Sequence, residues 1–501
     1  MDGRQKNSSH LPPLTQKMVT MAKLLSADTG LLRPTLHVEV ALTALPNKTS
    51  ELDELREDLR VWFAKTHDSV TLGRTALPKE IYGLPFVTQV DVADYTGPIH
   101  ATGYHDVHKL DLDLQVYVLR PEDCSDGRRT IAQTSQPDIP QARTLALPNA
   151  ALRDEWDSLV FEDALPSRLL RYLTRMVTMM KQQGLNTATF NWNRLCLLHG
   201  PPGSGKSTLS RALAQKLSIR LGETFAKSVL IEINTNGMLS KYFGESGKLI
   251  TNTFDNICST AVDSRTLVCV VMDEIETIAG RREKATSGGE CADGLRATNQ
   301  LLTALDRIRR LPNVLVLCTS NLISEIDQAF LDRVDIKQHI PSPSAEAVYE
   351  ILRSCLNEMI RSTLIDVPVV PVVPQKASKK REGPTAGVSG SDERLYESWV
   401  KVTTSIVPTF SETQLYHLSN VQSAGARVWS IAQQCQGFSG RTLRRLPILG
   451  LAMYTWGGQI SLQDAISALE AAVDQEVKVK ISTSKGTNGH AKGEDALMSD
   501  E

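Results

Sequence analysis

Gly200-Pro201-Pro202-Gly203-Ser204-Gly205-Lys206-Ser207 is the stretch on which the reading of this chain turns. It fits G-x-x-x-x-G-K-[ST], and its flanks are those the pattern needs. The apolar run RLCLLH (194–199) leads in, and STLSRALAQKL (207–217) leads out with helical spacing. Glycines let main-chain N–H groups close around a phosphate, and a helix N-terminus adds the positive end of its dipole. Lys206 is placed to neutralise β- and γ-phosphate charge, and the Ser207 hydroxyl to ligate Mg²⁺. ATP with Mg²⁺ is the expected ligand pair.

Outward from this loop, Leu195–His199, Val229–Asn234, Thr266–Met272 and Val314–Thr319 are short apolar runs. Such runs belong to strands buried on both faces of a parallel sheet. The helical segments Lys206–Leu217, Ser246–Ser259 and Asp293–Arg309 separate them, which predicts a doubly wound α/β domain. The run Leu267–Met272 puts Asp273 at the carboxyl end of a buried strand beside the phosphate loop. There it can hold Mg²⁺ through water, and Glu274 is the candidate base that deprotonates the attacking water. VLVLCTSN ends in Asn321, a polar tip on another buried strand. Read alone, Thr-Ser-Asn is a strand-to-loop cap; beside a phosphate loop it is a candidate contact to the γ-phosphate or the water.

The chain has 501 residues, 41% hydrophobic and 22% charged, with Lys+Arg 55 against Asp+Glu 57 for a net charge of −2. Length alone predicts about three domains, and the balance argues against holding nucleic acid by bulk charge. No apolar run approaches the ~18 residues that cross a bilayer, and MDGRQKNSSHLPP lacks a signal-peptide apolar region. Eight cysteines, none in CxxC spacing, predict no disulfide framework or zinc site; Cys269 and Cys318 read as core. His100, His105 and His108 match no zinc spacing. Residues 1–17 read as a disordered N-terminus, and 18–120 as a small α+β domain with β-rich runs at LHVEVALTAL, FVTQVDVADY and DLDLQVYVLR. A Pro, Ser, Asp and Gln-rich linker is expected over 121–150, the large α/β subdomain over 151–343, and a mostly helical subdomain over 344–481. Residues 373–394, including the basic run Lys379-Lys380-Arg381, read as a disordered insertion, and 482–501 as a disordered tail.

GPPGSGKS, VVMDE, TSN and AFLDRVD, in this order, resemble an AAA+ ATPase module. The series continues through WDSLVFED, LIEINTNGMLSKYFGESGKL, DQAFLDRVDIKQHI and GFSGRTLRRLP, and so resembles the pachytene checkpoint AAA+ ATPases. The resemblance is close over about 155–345 and 435–450, and loose in the N-terminal domain. It implies an AAA+ P-loop NTPase fold: a parallel sheet flanked by helices, a helical lid subdomain, and a small α+β N-terminal domain that engages substrate or adaptor. It implies a homohexamer that remodels HORMA-domain proteins between closed and open conformations in meiotic recombination, chromosome-axis and checkpoint control. Nucleus (chromosomes, nucleolus) and cytoplasm are the implied locations, with no membrane and no specific nucleic acid as partner.

Site roles follow from the same resemblance. Arg333 in FLDRVD is the implied arginine finger acting on a neighbour's γ-phosphate, although an Arg flanked by Asp332 and Asp335 reads by itself as a surface ion pair. Arg441 is the implied second sensor in the lid, with Arg444 and Arg445 as alternatives. Tyr242 and Phe243 are the implied pore loop that grips polypeptide, Tyr242 standing where the family usually carries Trp. SGGECADG (287–294) is the implied second pore loop. Two rival readings are an AAA+ ATPase acting on DNA or other protein complexes, and a scaffold that binds ATP without hydrolysing it.

Overall fold

Five parallel strands carry the larger part of the chain, and alternation along each explains how they are held. In β10 (Thr266–Met272) Val268, Val270 and Met272 enter one hydrophobic cluster, while Leu267, Cys269 and Val271 enter another on the opposite face. β11 (Val314–Ser320) divides in the same way, with Val314, Val316 and Cys318 against Leu315 and Leu317. A strand covered on both faces has no polar side, so its sequence is continuously apolar. Cys269 is fully buried, and burial pushes its thiol up to about 12. The computed structural model describes residues 33–44, 49–75, 87–97, 103–121, 142–181, 192–238, 246–280, 290–366, 407–417, 420, 422–458 and 460–487.

The chain divides into two compact units, one ending at Val118 and the other beginning at Leu119. In the first, β1 (Thr35–Leu42) pairs antiparallel with β4 (Val87–Tyr95) and parallel with β6 (Asp111–Val118). β3 (Gly73–Thr75) extends the sheet beside β4, and β2 (Ser69–Val70) pairs with β5 (His105–Asp106). Helix α1 (Thr49–Thr66) covers one face: Leu59 and Phe63 pack with Leu36, Val38 and Val40. His105 packs against Tyr95, and His108 lies 3.4 Å from Asp68, while His100 lies outside the described residues.

The second unit is built on a six-stranded sheet in the order β12-β8-β11-β10-β9-β7, with β7 (Ala142–Leu147), β8 (Leu195–His199), β9 (Lys227–Ile233) and β12 (Ile336–His339). Helix α2 (Leu165–Met180) precedes β8. Helices α3 (Lys206–Arg220), α4 (Ser246–Ala261) and α5 (Glu290–Ile308) connect the strands. The order reverses at β8, which lies between β12 and β11, so the carboxyl ends of β8 and β11 open the crevice where such sheets bind ligands. β7 corrects the expected linker over 121–150. Residues 142–147 pair antiparallel with β9 and close that edge of the sheet, burying Leu145 and Leu147. A six-residue edge strand with two buried apolar positions is overridden, in a composition reading, by the Pro, Gln and Asp that precede it.

The lid subdomain follows β12: α6 (Ala345–Arg361), α7 (Ala424–Gln434), α8 (Gly440–Tyr454) and α9 (Leu462–Thr487) enclose a core around Leu352, Val428, Leu443 and Leu469. Ser344, Ser423 and Ser439 cap the first three by accepting N–H from Ala347, Ala426 and Thr442. α9 runs to Thr487, so the first residues of the expected disordered tail at 482–501 are helical. The expected insertion 373–394 lies outside the described residues.

One buried cation ties the large subdomain together. Arg194 is 1% exposed and donates from Nε to the Val314 carbonyl (2.9 Å) and from Nη2 to the Arg309 carbonyl (2.6 Å). It thereby holds the end of α5 against the start of β11. Burial pulls its guanidinium down to about 10, which still leaves it charged at neutral pH.

Candidate nucleotide site

The phosphate loop joins β8 to α3 through two glycines in left-handed backbone, Gly203 (φ 71°) and Gly205 (φ 93°). Gly205 is the N-cap of α3, and no side chain caps the helix there, so the first-turn N–H groups stay open to an oxyanion. Lys206 is buried, and its Nζ donates to the Gly200 and Pro201 carbonyls at 2.9 and 2.7 Å. Burial holds the ammonium below the ordinary lysine value, and the carboxylates of Glu276, Asp273 and Glu274 act in the opposite direction. Ser204 Oγ is sealed from solvent and has no hydrogen-bond partner among the described residues, a donor–acceptor group that a phosphate would satisfy.

Asp273 and Glu274 lie at the carboxyl end of β10. One hydroxyl arranges both: Thr319 Oγ1 donates to Asp273 Oδ1 (2.9 Å) and accepts the Glu274 N–H (3.2 Å). Thr235 Oγ1 adds a bond to the Asp273 carbonyl at 2.6 Å. Glu274 has φ 53°, an uncommon conformation for a residue with a side chain, and its carboxylate is exposed at the cavity. Backbone held in this region is found disproportionately at functional sites. Asn321 comes from the end of the neighbouring β11, and its N–H donates to Glu276 Oε1 at 2.9 Å.

These groups share one cavity of about 500 Å³. Pro202, Gly203, Ser204, Gly205, Lys206, Ser207, Asp273, Glu274 and Asn321 line it. Leu159, Val160, Phe161 and Ile351 add apolar lining of the kind that suits a base. Arg441 and Arg444 reach it from the first turns of α8. Arg444 is therefore more than the lesser alternative expected of it: it faces the cavity and also donates to the Ser158 carbonyl. Arg445 turns away to Glu476 at 3.2 Å.

The lid rests directly on the phosphate loop. The Gly440 N–H donates to the Gly203 carbonyl at 2.8 Å. A Cβ on Gly203 would stand 2.7 Å from the Ser439 Cβ. Gly203→Ala meets both that contact and the left-handed penalty of about 1–2 kcal/mol, so nucleotide affinity should fall by roughly 10-fold or more. Titration with a fluorescent ATP analogue checks this; unchanged affinity would mean that the lid contact does not shape the bound state.

Arg333 does not line the cavity of its own subunit. Its partner is neither Asp332 nor Asp335 but Asp306 on α5. Nε and Nη2 donate to the two Asp306 oxygens at 2.9 and 2.8 Å, and Nη1 donates to the Ala329 carbonyl at 2.8 Å. The Arg333 hydrogen bond holds the Asp306 carboxyl below the usual carboxylate range. Asp335 instead accepts the N–H groups of Asn193 and Leu195, and burial raises its carboxyl.

Thr319, Glu276, Asp306 and the Gly440 contact were not read from the sequence. Thr319 alone left a local signal, as a hydroxyl in an otherwise apolar strand. Tyr242 and Phe243 lie outside the described residues, as do 287–289 of the second implied pore loop; 290–294 begin α5.

Body and lid thus close on one phosphate-binding cavity, and this construction defines the class: the chain is an AAA+ ATPase. Residues 196–342 match the family described as "ATPase family associated with various cellular activities (AAA)", and 344–477 match the "TRIP13-like, AAA+ ATPase lid C-terminal domain". The pachytene checkpoint protein 2 homolog of Danio rerio is 32% identical over 453 residues, covering 90% of this chain and 95% of the relative. The Homo sapiens homolog is 32% identical over 450 residues, covering 88% and 93%. The solved structure titled "Structure of C. elegans PCH-2" superposes with a TM-score of 0.63 at 25% identity, covering 89% of this chain and 99% of that one. The chain belongs to the pachytene checkpoint protein 2 family.

Proposed function

We propose that six copies of the chain close into a ring in which each ATP is shared between neighbours. The observation that carries this reading is the place of Arg333. Each cavity holds a phosphate loop, an acidic pair and lid arginines, while the remaining candidate finger is tied to Asp306 away from it. Heterologous contacts that close on themselves would bring one subunit's Arg333 to the next subunit's cavity.

The donor set fits Mg·ATP: open helix N–H groups, Lys206, the unpartnered Ser204 hydroxyl, and Asp273 fixed by Thr319. Ser207 and Asp273, the latter through water, would hold Mg²⁺, whose charge offsets that of the β- and γ-phosphates. Lys206 exchanges two carbonyl partners for phosphate oxygens. Glu274 takes the proton of the attacking water, Asn321 senses the γ-phosphate, and Arg441 carries the bound state to the lid. Tyr242 and Phe243 grip the substrate polypeptide in the pore.

Family membership and the sequence resemblance support HORMA-domain proteins as substrates, opened from the closed form and presented by the N-terminal unit with or without an adaptor. They support meiotic recombination and checkpoint control as the setting, at chromosomes in the nucleus and in the cytoplasm. A capture experiment with Glu274→Gln in ATP tests the reading. A HORMA-domain protein should be retained in ATP and released in ADP. Retention of DNA, or of no HORMA-domain protein, would overturn it.

A further inference from the structure

Glu276 occupies the single helical turn Ile275–Thr277 that follows the acidic pair. It is not among the residues that line the cavity. Its two oxygens are used unequally. Oε1 accepts the Asn321 N–H at 2.9 Å; Oε2 is sealed from solvent with no partner among the described residues. A carboxylate oxygen without water or a donor is costly in a low-dielectric interior, and such a group calls for an explanation beyond local structure. Glu276 is also the carboxylate that acts most strongly on Lys206, ahead of Asp273 and Glu274. Its measured contact is with the tip of β11, through the Asn321 N–H.

We propose that Glu276 is a positioning residue for ATP hydrolysis that acts through Asn321. One oxygen fixes the main chain at the end of β11, and the other is the acceptor left open for the Asn321 side-chain amide when the γ-phosphate is present. The two bonds aim the amide, which has two N–H groups: one goes to Glu276 and the other to the phosphate. Without the first, the amide rotates freely about its last torsion, and small misplacements near a reacting centre carry large rate penalties.

This rests on the assignment of Asn321 as a γ-phosphate contact. The test compares Glu276→Ala, Glu276→Gln, Asn321→Ala and the double variant Glu276→Ala/Asn321→Ala in the full chain. Turnover, KM for ATP, affinity for a fluorescent ADP analogue and the thermal midpoint are read for each. Glu276→Ala should lower kcat by about 10-fold or more while ADP affinity stays within about twofold. Glu276→Gln keeps one acceptor oxygen and should fall between that variant and the parent. The double variant should be no slower than Asn321→Ala, since both changes remove one device. Parent-like turnover of Glu276→Ala, losses that multiply in the double variant, or a rate loss that tracks weaker ADP binding and a lower thermal midpoint would each overturn the proposal. If Asn321→Ala is impaired and Glu276→Ala is not, only this inference fails. If Asn321→Ala itself turns over normally, the sensor assignment fails with it.

Discussion

Glu274→Gln is expected to turn ATP over roughly 10²–10⁴-fold more slowly than the parent chain while binding it as well. The change keeps side-chain size and leaves the backbone of Glu274, at φ 53°, with the same N–H bond to Thr319. It removes only the basic oxygen exposed to the cavity. Lys206, Ser207 and the Asp273 carboxylate, to which the proposed mechanism assigns nucleotide affinity, are untouched. Steady-state hydrolysis alongside nucleotide titration separates the two effects. A parent-like rate would mean that Glu274 is not the base, and a parallel loss of affinity would mean that its role is structural.

Arg333→Ala has the other large expected effect. Fingers in comparable phosphoryl-transfer systems are worth about 10³–10⁵ in rate, and a loss in that range is expected here with little change in stability. The ion pair it breaks is half exposed on the Asp306 side, 49% by area, and exposed pairs contribute about 0–1 kcal/mol. The guanidinium is therefore cheaply held. Asp306 holds it by two hydrogen bonds, and under the proposed role a neighbour's triphosphate takes it over. Turnover should fall while ATP affinity measured at each subunit's own cavity stays close to parent, because Arg333 is not part of that cavity. A variant that loses binding and rate equally would place Arg333 in its own subunit's site instead.

The parts of the molecule visible in the sequence are those whose physics is local. Strands β8, β10 and β11 are buried on both faces, so their runs are almost wholly apolar, and the ends of β10 and β11 place Asp273 and Asn321. The phosphate loop needs its glycines within a few residues of its lysine, and the motif records that need directly. Contacts between distant segments leave no such trace. Arg333 chooses Asp306, which lies 27 residues away, over the adjacent Asp332. Arg444 reaches the Ser158 carbonyl across 286 residues. Thr319 and Asp273 meet because β10 and β11 are neighbours in register, with Met272 opposite Cys318. Pairing, more than composition, also makes residues 142–147 a strand, since only the exposed edge of β9 explains their place.

The proposed sharing of each ATP between adjacent subunits can be tested by mixing two inactive chains. Under the proposed roles, Glu274→Gln subunits keep a good finger and lack the base, whereas Arg333→Ala subunits keep the base and lack the finger. In an equimolar mixed ring about one cavity in four has an intact base facing an intact finger, so hydrolysis should return to roughly that fraction of the parent rate. Mixed rings as inactive as either variant alone would contradict the account, because no neighbour would then be supplying what its partner lacks.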